Sequence, residues 1–233
     1  MFKTKLVLAL TGATLCNAAA WAQDGGLQVS AGLRAWYTQW TTFSYYAPAG
    51  KNLALTQVSA REKLVLVPTL SLRQGNWLLA ASAMPTADFS FADGGQGQRR
   101  ELDLNLGYAV YPGLVATLGY KSVTQLGEGQ RYEPRGVVFG LSGQAPLGGA
   151  LALYGNLGLG QLNTAGGADI RFAARYRLAE MGVAYGWIND GFPKRWTLTA
   201  GYRIQLMSSY EALGSQDGQD STQGVVFGVS ASF

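Results

Sequence analysis

From residue 27 onward, apolar and polar positions alternate with a period of two. Leu27, Val29, Ala31, Leu33, Ala35 and Tyr37 alternate with Gln28, Ser30, Gly32, Arg34, Trp36 and Thr38. Leu64, Leu66, Leu70 and Leu72 do the same, as do Leu102, Leu104, Leu106, Tyr108 and Val110, and Trp196, Leu198, Ala200, Tyr202, Ile204 and Leu206. Successive side chains of a strand point to opposite faces, so each segment has one apolar and one polar face. The runs reach ~10 residues, longer than the five or six of a typical globular strand. Their polar faces carry Gly, Ser, Thr and Asn in place of the Lys and Glu of a soluble surface. The pattern predicts strands with one face in lipid: an all-β chain forming a single antiparallel transmembrane β-barrel.

Ten strands are expected, over 27–43, 58–73, 77–91, 100–111, 114–125, 135–147, 150–162, 170–188, 195–210 and 224–233. Eight or twelve remain compatible with the pattern. Tight turns at Gly75-Asn76, Pro112-Gly113 and Gly148-Gly149 alternate with longer polar connections such as 44–57, 92–99 and 211–223. Short periplasmic turns and longer external loops are the asymmetry of outer-membrane barrels, and an even count leaves both termini periplasmic. The segment 170–188 breaks phase. Ile170, Phe172, Ala174, Tyr176 and Leu178 are apolar on even numbers, and Met181, Val183, Tyr185 and Trp187 on odd ones. With the apolar side kept outward throughout, Ala179-Glu180 is a bulge or a turn; a turn would give eleven strands and leave the C-terminus outside, so a bulge is expected.

Residues 1–22 read as a cleaved signal peptide, leaving 23–233 as the barrel domain. Lys3 and Lys5 precede an apolar stretch from Leu6 to about Leu15, too short to span a bilayer, and Ala20-Trp21-Ala22 has the small-x-small cleavage pattern. Without Lys3 and Lys5 the formal net charge falls from +4 to +2, which gives no reason to expect nucleic acid as a partner. The single cysteine, Cys16, leaves with the leader, so disulfides and thiolate chemistry are not expected in the mature chain. Charged residues are 14% of the chain against roughly 25% in soluble domains, while Gly numbers 32.

Val225, Phe227, Val229, Ala231 and Phe233 alternate up to the last residue. This resembles the C-terminal strand signature of Gram-negative outer-membrane β-barrel proteins. The resemblance implies an outer-membrane location, recognition by the barrel-assembly machinery, and contact with outer-membrane lipid and lipopolysaccharide. In length the chain is broadly similar to the outer-membrane protein W-like group. Aromatic girdles are expected from Trp77, Tyr108, Tyr111, Trp187 and Trp196 at the periplasmic end, and from Tyr45, Tyr46, Phe89, Phe91, Tyr132 and Tyr210 at the external end.

Candidate chemistry lies in the lumen. The chain has no His, and no nucleophile elbow, P-loop or dinucleotide fingerprint occurs, so no enzyme activity, cofactor or metal site is expected. Alternation directs Arg34, Arg61, Lys63, Arg73, Lys121, Arg171, Arg175, Arg177 and Arg203 inward, with Glu101, Asp103 and Glu180. Such a basic excess favours anions, so Arg34, Lys63, Glu101, Asp103, Lys121, Arg175 and Arg203 are the lumen and selectivity candidates. Trp36 and Trp40 are inward aromatics, either filling the lumen or stacking a solute. Val65, Val67 and Val138 are inward and apolar, while Arg99, Arg100, Arg131 and Arg135 fall near the outer rim. The expected function is a narrow channel for small anionic or neutral solutes. The alternatives are a closed barrel acting through its external loops, or a hydrophobic-ligand carrier.

Overall fold

A computed structural model describes residues 26–46, 54–127, 130–166, 171–209 and 218–233; the leader and the expected cleavage at Gln23 lie outside these residues. The described chain forms β1 (Gln28–Tyr46), β2 (Ala54–Ser59), β3 (Lys63–Gln74), β4 (Trp77–Ser90), β5 (Gln96–Tyr111), β6 (Leu114–Gly127), β7 (Gln130–Gly148), β8 (Leu151–Gly166), β9 (Arg171–Ile188), β10 (Arg195–Ser209) and β11 (Gly218–Ser232). Each strand pairs antiparallel with its neighbours, and β11 returns to β1 over Ser30↔Ser232 to Ser44↔Gly218. The β1–β11 pairing closes the sheet into a barrel, as a spanning sheet requires where water cannot satisfy backbone groups, while β3 and β4 pair only from Thr69↔Ser82 to Gln74↔Trp77 and the bridge Ala60↔Phe91 stands alone beyond them.

β2 and β3 are two pieces of one barrel stave. β2 pairs with the outer part of β1 and β3 with the inner part, and Ala60 N donates to Trp40 O at 2.7 Å in the break between them. Counted this way, the barrel has ten staves. The start of β1 and the end of β11 lie at the same end as the tight turns, where Gly75, Gly113, Gly148 and Gly149 adopt positive φ. A left-handed backbone without a Cβ clash is what a two-residue reversal needs there.

The outward faces are apolar as expected. Leu64, Leu66 and Leu70 on β3, Leu102, Leu104 and Leu106 on β5, and Phe227 and Val229 on β11 all lie exposed. At the short-turn end Trp77 packs edge-on to Tyr108 with centroids 4.9 Å apart, and Trp187 stacks on Trp196 at 6.5 Å, forming the expected girdle.

Two phase expectations are corrected. β9 pairs without a register shift from Arg195↔Ile188 to Ser209↔Ala174, and on its other side from Leu151↔Tyr185 to Ala165↔Arg171. There is no bulge at Ala179-Glu180. Ala174, Tyr176, Glu180 and Ala184 are buried inward, so Arg175 and Arg177 point out and are exposed. In β4 the reverse holds, because the register shifts between Met84 and Ala87. Pro85 has no N–H for the ladder, and a bulge there turns the following odd positions inward. Phe89 is therefore 1% exposed inside the barrel, and Phe91 packs beside it, rather than in an external girdle. The side chains of Tyr45, Tyr46 and Tyr210 lie outside the described residues.

Candidate functional site in the barrel lumen

Strand parity places a polar set at mid-depth. Register sets Glu180 on β9 directly opposite Arg203 on β10. The Glu180 carboxylate accepts from Arg203 Nη1 at 3.1 Å and from Arg34 Nη2 of β1 at 2.8 Å. Arg34 reaches over β10 and β11 to make that bond, so the pair chords the lumen instead of lying along the wall.

A second group stands on β5 and β6. Arg99 and Glu101, two residues apart on one face, pair at 2.7 Å. Lys121 Nζ donates to Glu101 Oε2 at 2.7 Å and to Asp103 Oδ1 at 2.9 Å. The side chains of Arg99, Lys121 and Glu180 are at most 1% exposed. Charges so deep are tolerable only when paired and hydrogen-bonded.

Two contacts run across the full width. Gln125 Nε2 on β6 donates to Asp220 Oδ2 on β11 at 3.2 Å, and Arg99 Nη2 on β5 meets Gln205 Oε1 on β10 at 3.5 Å. Each joins staves five positions apart in a ring of ten, hence diametrically opposite. Asp220 also accepts from Trp40 Nε1 at 3.4 Å.

Aromatic and aliphatic side chains close the outer side of this layer. Trp40 packs edge-on against Phe89 at 5.6 Å and Phe91 at 5.1 Å, within a cluster that includes Trp36, Val65, Val67, Met84 and Val226. Guanidinium and ammonium groups lie over the rings: Arg203 over Trp36 at 5.3 Å, Arg99 over Trp40 at 5.7 Å, and Lys121 over Tyr176 at 5.1 Å. Cations held both over aromatic faces and against carboxylates are fixed from two directions. Beside the layer, a cavity of about 80 Å³ is lined by Ser82, Asp103, Asn105, Thr117, Ser142 and Asn156, among others. That volume accommodates several waters.

Of the selectivity candidates, Arg34, Glu101, Asp103, Lys121 and Arg203 are brought together here. Lys63 stands apart and donates to Asp88 O at 2.7 Å. Arg175 is corrected from lumen to outer face, and Arg177 with it. Arg61 is exposed in the break between β2 and β3, Arg73 Nε donates to Gly75 O at 3.2 Å near the short-turn end, and the Arg171 side chain lies outside the described residues. Trp36 and Trp40 are inward and buried, and both act as packing. In the C-terminal segment Val225, Phe227, Val229 and Phe233 face out, while Ala231 is 8% exposed.

The lumen also holds residues that sequence reasoning missed. Arg99 was expected at the rim beside Arg100, yet it shares the face of Glu101 two residues on, a parity that marks it as inward. Asp220 was expected in a loop, but β11 begins at Gly218 and carries it inward. In this group the cations Arg34, Arg99, Lys121 and Arg203 are paired with the carboxylates Glu101, Asp103 and Glu180, while Asp220, nearer the long-connection end, accepts from Gln125 and Trp40. Pairing thus offsets most of the expected basic excess among these residues.

No family model matches the chain, and no curated protein matches it. Among solved structures, the outer-membrane protease OmpT from Escherichia coli is similar over 89% of this chain and 96% of that one, with TM-score 0.55 and 10% identity. The toluene transporter TodX from P. putida is matched at TM-score 0.35 and 11% identity, covering 91% of this chain and 90% of that one. A Pseudomonas aeruginosa FadL homologue is matched at TM-score 0.31 and 9% identity, with 89% of each chain covered. The fold is that of outer-membrane β-barrels; the narrower likeness to the outer-membrane protein W-like group gains no support. The expectation that the chain is no enzyme is corrected by the first of these. A barrel of this shape is a protease in another protein, so the frame is compatible with catalysis. At 10% identity the likeness shows the fold and assigns no activity.

Proposed function

We propose that this is an outer-membrane barrel whose lumen is sealed by its own side chains, acting through its long-connection end rather than as an open pore. The observation that carries the reading is the Gln125–Asp220 hydrogen bond between diametrically opposite staves, flanked by the Arg34–Glu180–Arg203 chord. An eight-strand barrel is just filled by side chains, and a ten-strand lumen is only slightly wider. Here Trp36, Trp40, Phe89 and Tyr176 add bulk to the paired charges, which supports a filled interior. A water-filled anion channel calls for a net positive lining, and the pairing of these cations with Glu101, Asp103 and Glu180 does not favour it.

In this reading the chain resides in the outer membrane with the tight turns and both termini periplasmic. Outer-membrane lipid, lipopolysaccharide and the barrel-assembly machinery are its partners. The even number of staves and the shared end of β1 and β11 support that orientation. Swelling of liposomes containing the protein tests the seal. Arabinose should enter no faster than into protein-free liposomes, and a Glu101→Ala/Glu180→Ala double variant should admit it. Rapid entry through the native protein returns the function to a solute channel.

A further inference from the structure

We infer that the wall has a side entrance between β3 and β4, and that the pocket behind it binds a small, neutral, largely apolar molecule through one oxygen acceptor. The pocket is reached through the wall, so the site stands whether or not the lumen is sealed along its axis.

β3 and β4 pair from Thr69↔Ser82 to Gln74↔Trp77, and beyond them the bridge Ala60↔Phe91 rejoins the two staves. Residues 61–68 and 83–90 lie between, eight on each side, so the strands part and meet again without a slip in register. No other seam between the described strands is interrupted for more than three residues a side. Pro68 and Pro85 stand in this stretch and have no N–H to offer a ladder. Near its outer end Lys63 Nζ donates across the seam to Asp88 O at 2.7 Å, a carbonyl that a strand partner would otherwise take. Leu64 and Leu66 are exposed on the outer face beside it. Backbone outside a ladder at hydrocarbon depth is tolerated where it borders protein or a filled cavity.

Val67 and Met84 are opposite each other in the continued register, and both line a pocket with Trp36, Arg203 and Val226. Its volume is about 10 Å³, room for one water-sized group. Ser82, Asp103 and Arg203 also line the cavity of about 80 Å³, so the two spaces adjoin. Among the described residues, Trp36 Nε1 and Arg203 Nε are buried without a hydrogen-bond partner. Unmatched buried donors are costly, and two in the lining of one pocket call for an oxygen acceptor. Val67, Met84, Val226 and the Trp36 ring are apolar walls for the body that carries it. Glu101 and Asp103 share the lining and disfavour a second anion. The fit is a slender ketone, ester or ether, with its oxygen inside and its body in the seam. Met84, flexible and unbranched, can shift to admit it.

The test uses the full mature chain in detergent micelles, with Trp77, Trp187 and Trp196 on the outer face each replaced by Phe. Trp36 and Trp40 are then the remaining indoles of residues 23–233. The probe is 4-bromoacetophenone, whose bromine quenches an indole on contact, counted per mole of micellar detergent. Saturable quenching is expected, with half-saturation at least about fivefold lower than for 1-bromo-4-ethylbenzene, which lacks the oxygen, or for 4-bromobenzoate, which is anionic. Val67→Phe, filling the pocket, should abolish saturation, and Ala83→Phe, at the outer mouth, should slow its onset. Leu159→Phe, exposed on the far wall, should change neither. If Val67→Phe does not fold, the three probes on the native pocket decide alone. Equal or unsaturable quenching by all three overturns the site. Equal quenching by a phospholipid brominated on its acyl chains also overturns it, because the seam then admits any chain of the bilayer. Conductance along the axis has no bearing on these readings, so failure of the seal and failure of this site are told apart.

Discussion

Two sets of arginines occupy the same barrel and experience opposite environments. Arg34, Arg99 and Arg203 point into the lumen, where Glu180 and Glu101 stand within 3.1 Å of them. Arg135, Arg175 and Arg177 point out, on a wall whose described acid is Glu133. A single step in strand parity decides which fate an arginine has. The inward ones are structural because burial makes each depend on its carboxylate. The outward ones stand exposed on the outer wall and are not enclosed by carboxylates in this way. Charge in a barrel strand therefore does not identify the lumen; it identifies either the lumen or the headgroup zone.

The comparison is broken most sharply at Glu180. Glu180→Ala leaves Arg34 and Arg203 buried without their carboxylate and should cost about 3–5 kcal/mol of unfolding free energy, read by urea titration in micelles. A loss below about 1 kcal/mol would mean the layer is well hydrated and the chord is incidental. Next comes Phe89→Ala, expected to cost about 3 kcal/mol because the ring is enclosed against Trp40. Were Phe89 a lipid-facing girdle residue, the cost would be far smaller. The pair Arg34→Met/Glu180→Met sharpens the account: the double variant should be more stable than the sum of its singles by about 1–2 kcal/mol, read as a thermodynamic cycle. Smallest is Arg177→Ala, expected within about 0.5 kcal/mol of native in lipid-free detergent because the side chain is exposed. A large loss there would mean that Arg177 is tied into the fold as the lumen arginines are.

Most of the wall was legible because lipid imposes one rule on every stave: apolar side chains face out. The runs of β1, β3, β5, β10 and β11 obey it without exception over their middles, so faces and tight turns followed from parity. The rule fails where lipid ends. At β9 the assumption that the apolar side faces lipid throughout reversed the phase of Arg175 and Arg177 and required a bulge that the ladder does not contain. Tyr176 and Leu178 looked lipid-facing for being apolar, yet they fill the lumen beside Lys121 and Val138. At β4 a real phase change went unread, although Pro85 in mid-strand was its visible signal. Strand ends were drawn short for a related reason. β5 begins at Gln96 and β7 at Gln130, since polar residues beyond the apolar band continue the ladder in water. The pairing of charges across the lumen was not legible at all. Which of the inward carboxylates meets which cation depends on the curvature of the closed ring, and Arg34 meets Glu180 over two intervening staves.

The seal of the lumen is tested most directly by planar-bilayer conductance of the native protein beside Glu101→Ala/Glu180→Ala. The account predicts no steady current steps from the native barrel and resolved steps from the double variant, because removing both carboxylates releases the side chains that bridge the lumen. Stable steps from the native barrel, equal to those of the variant, would contradict it and make the lumen a pathway.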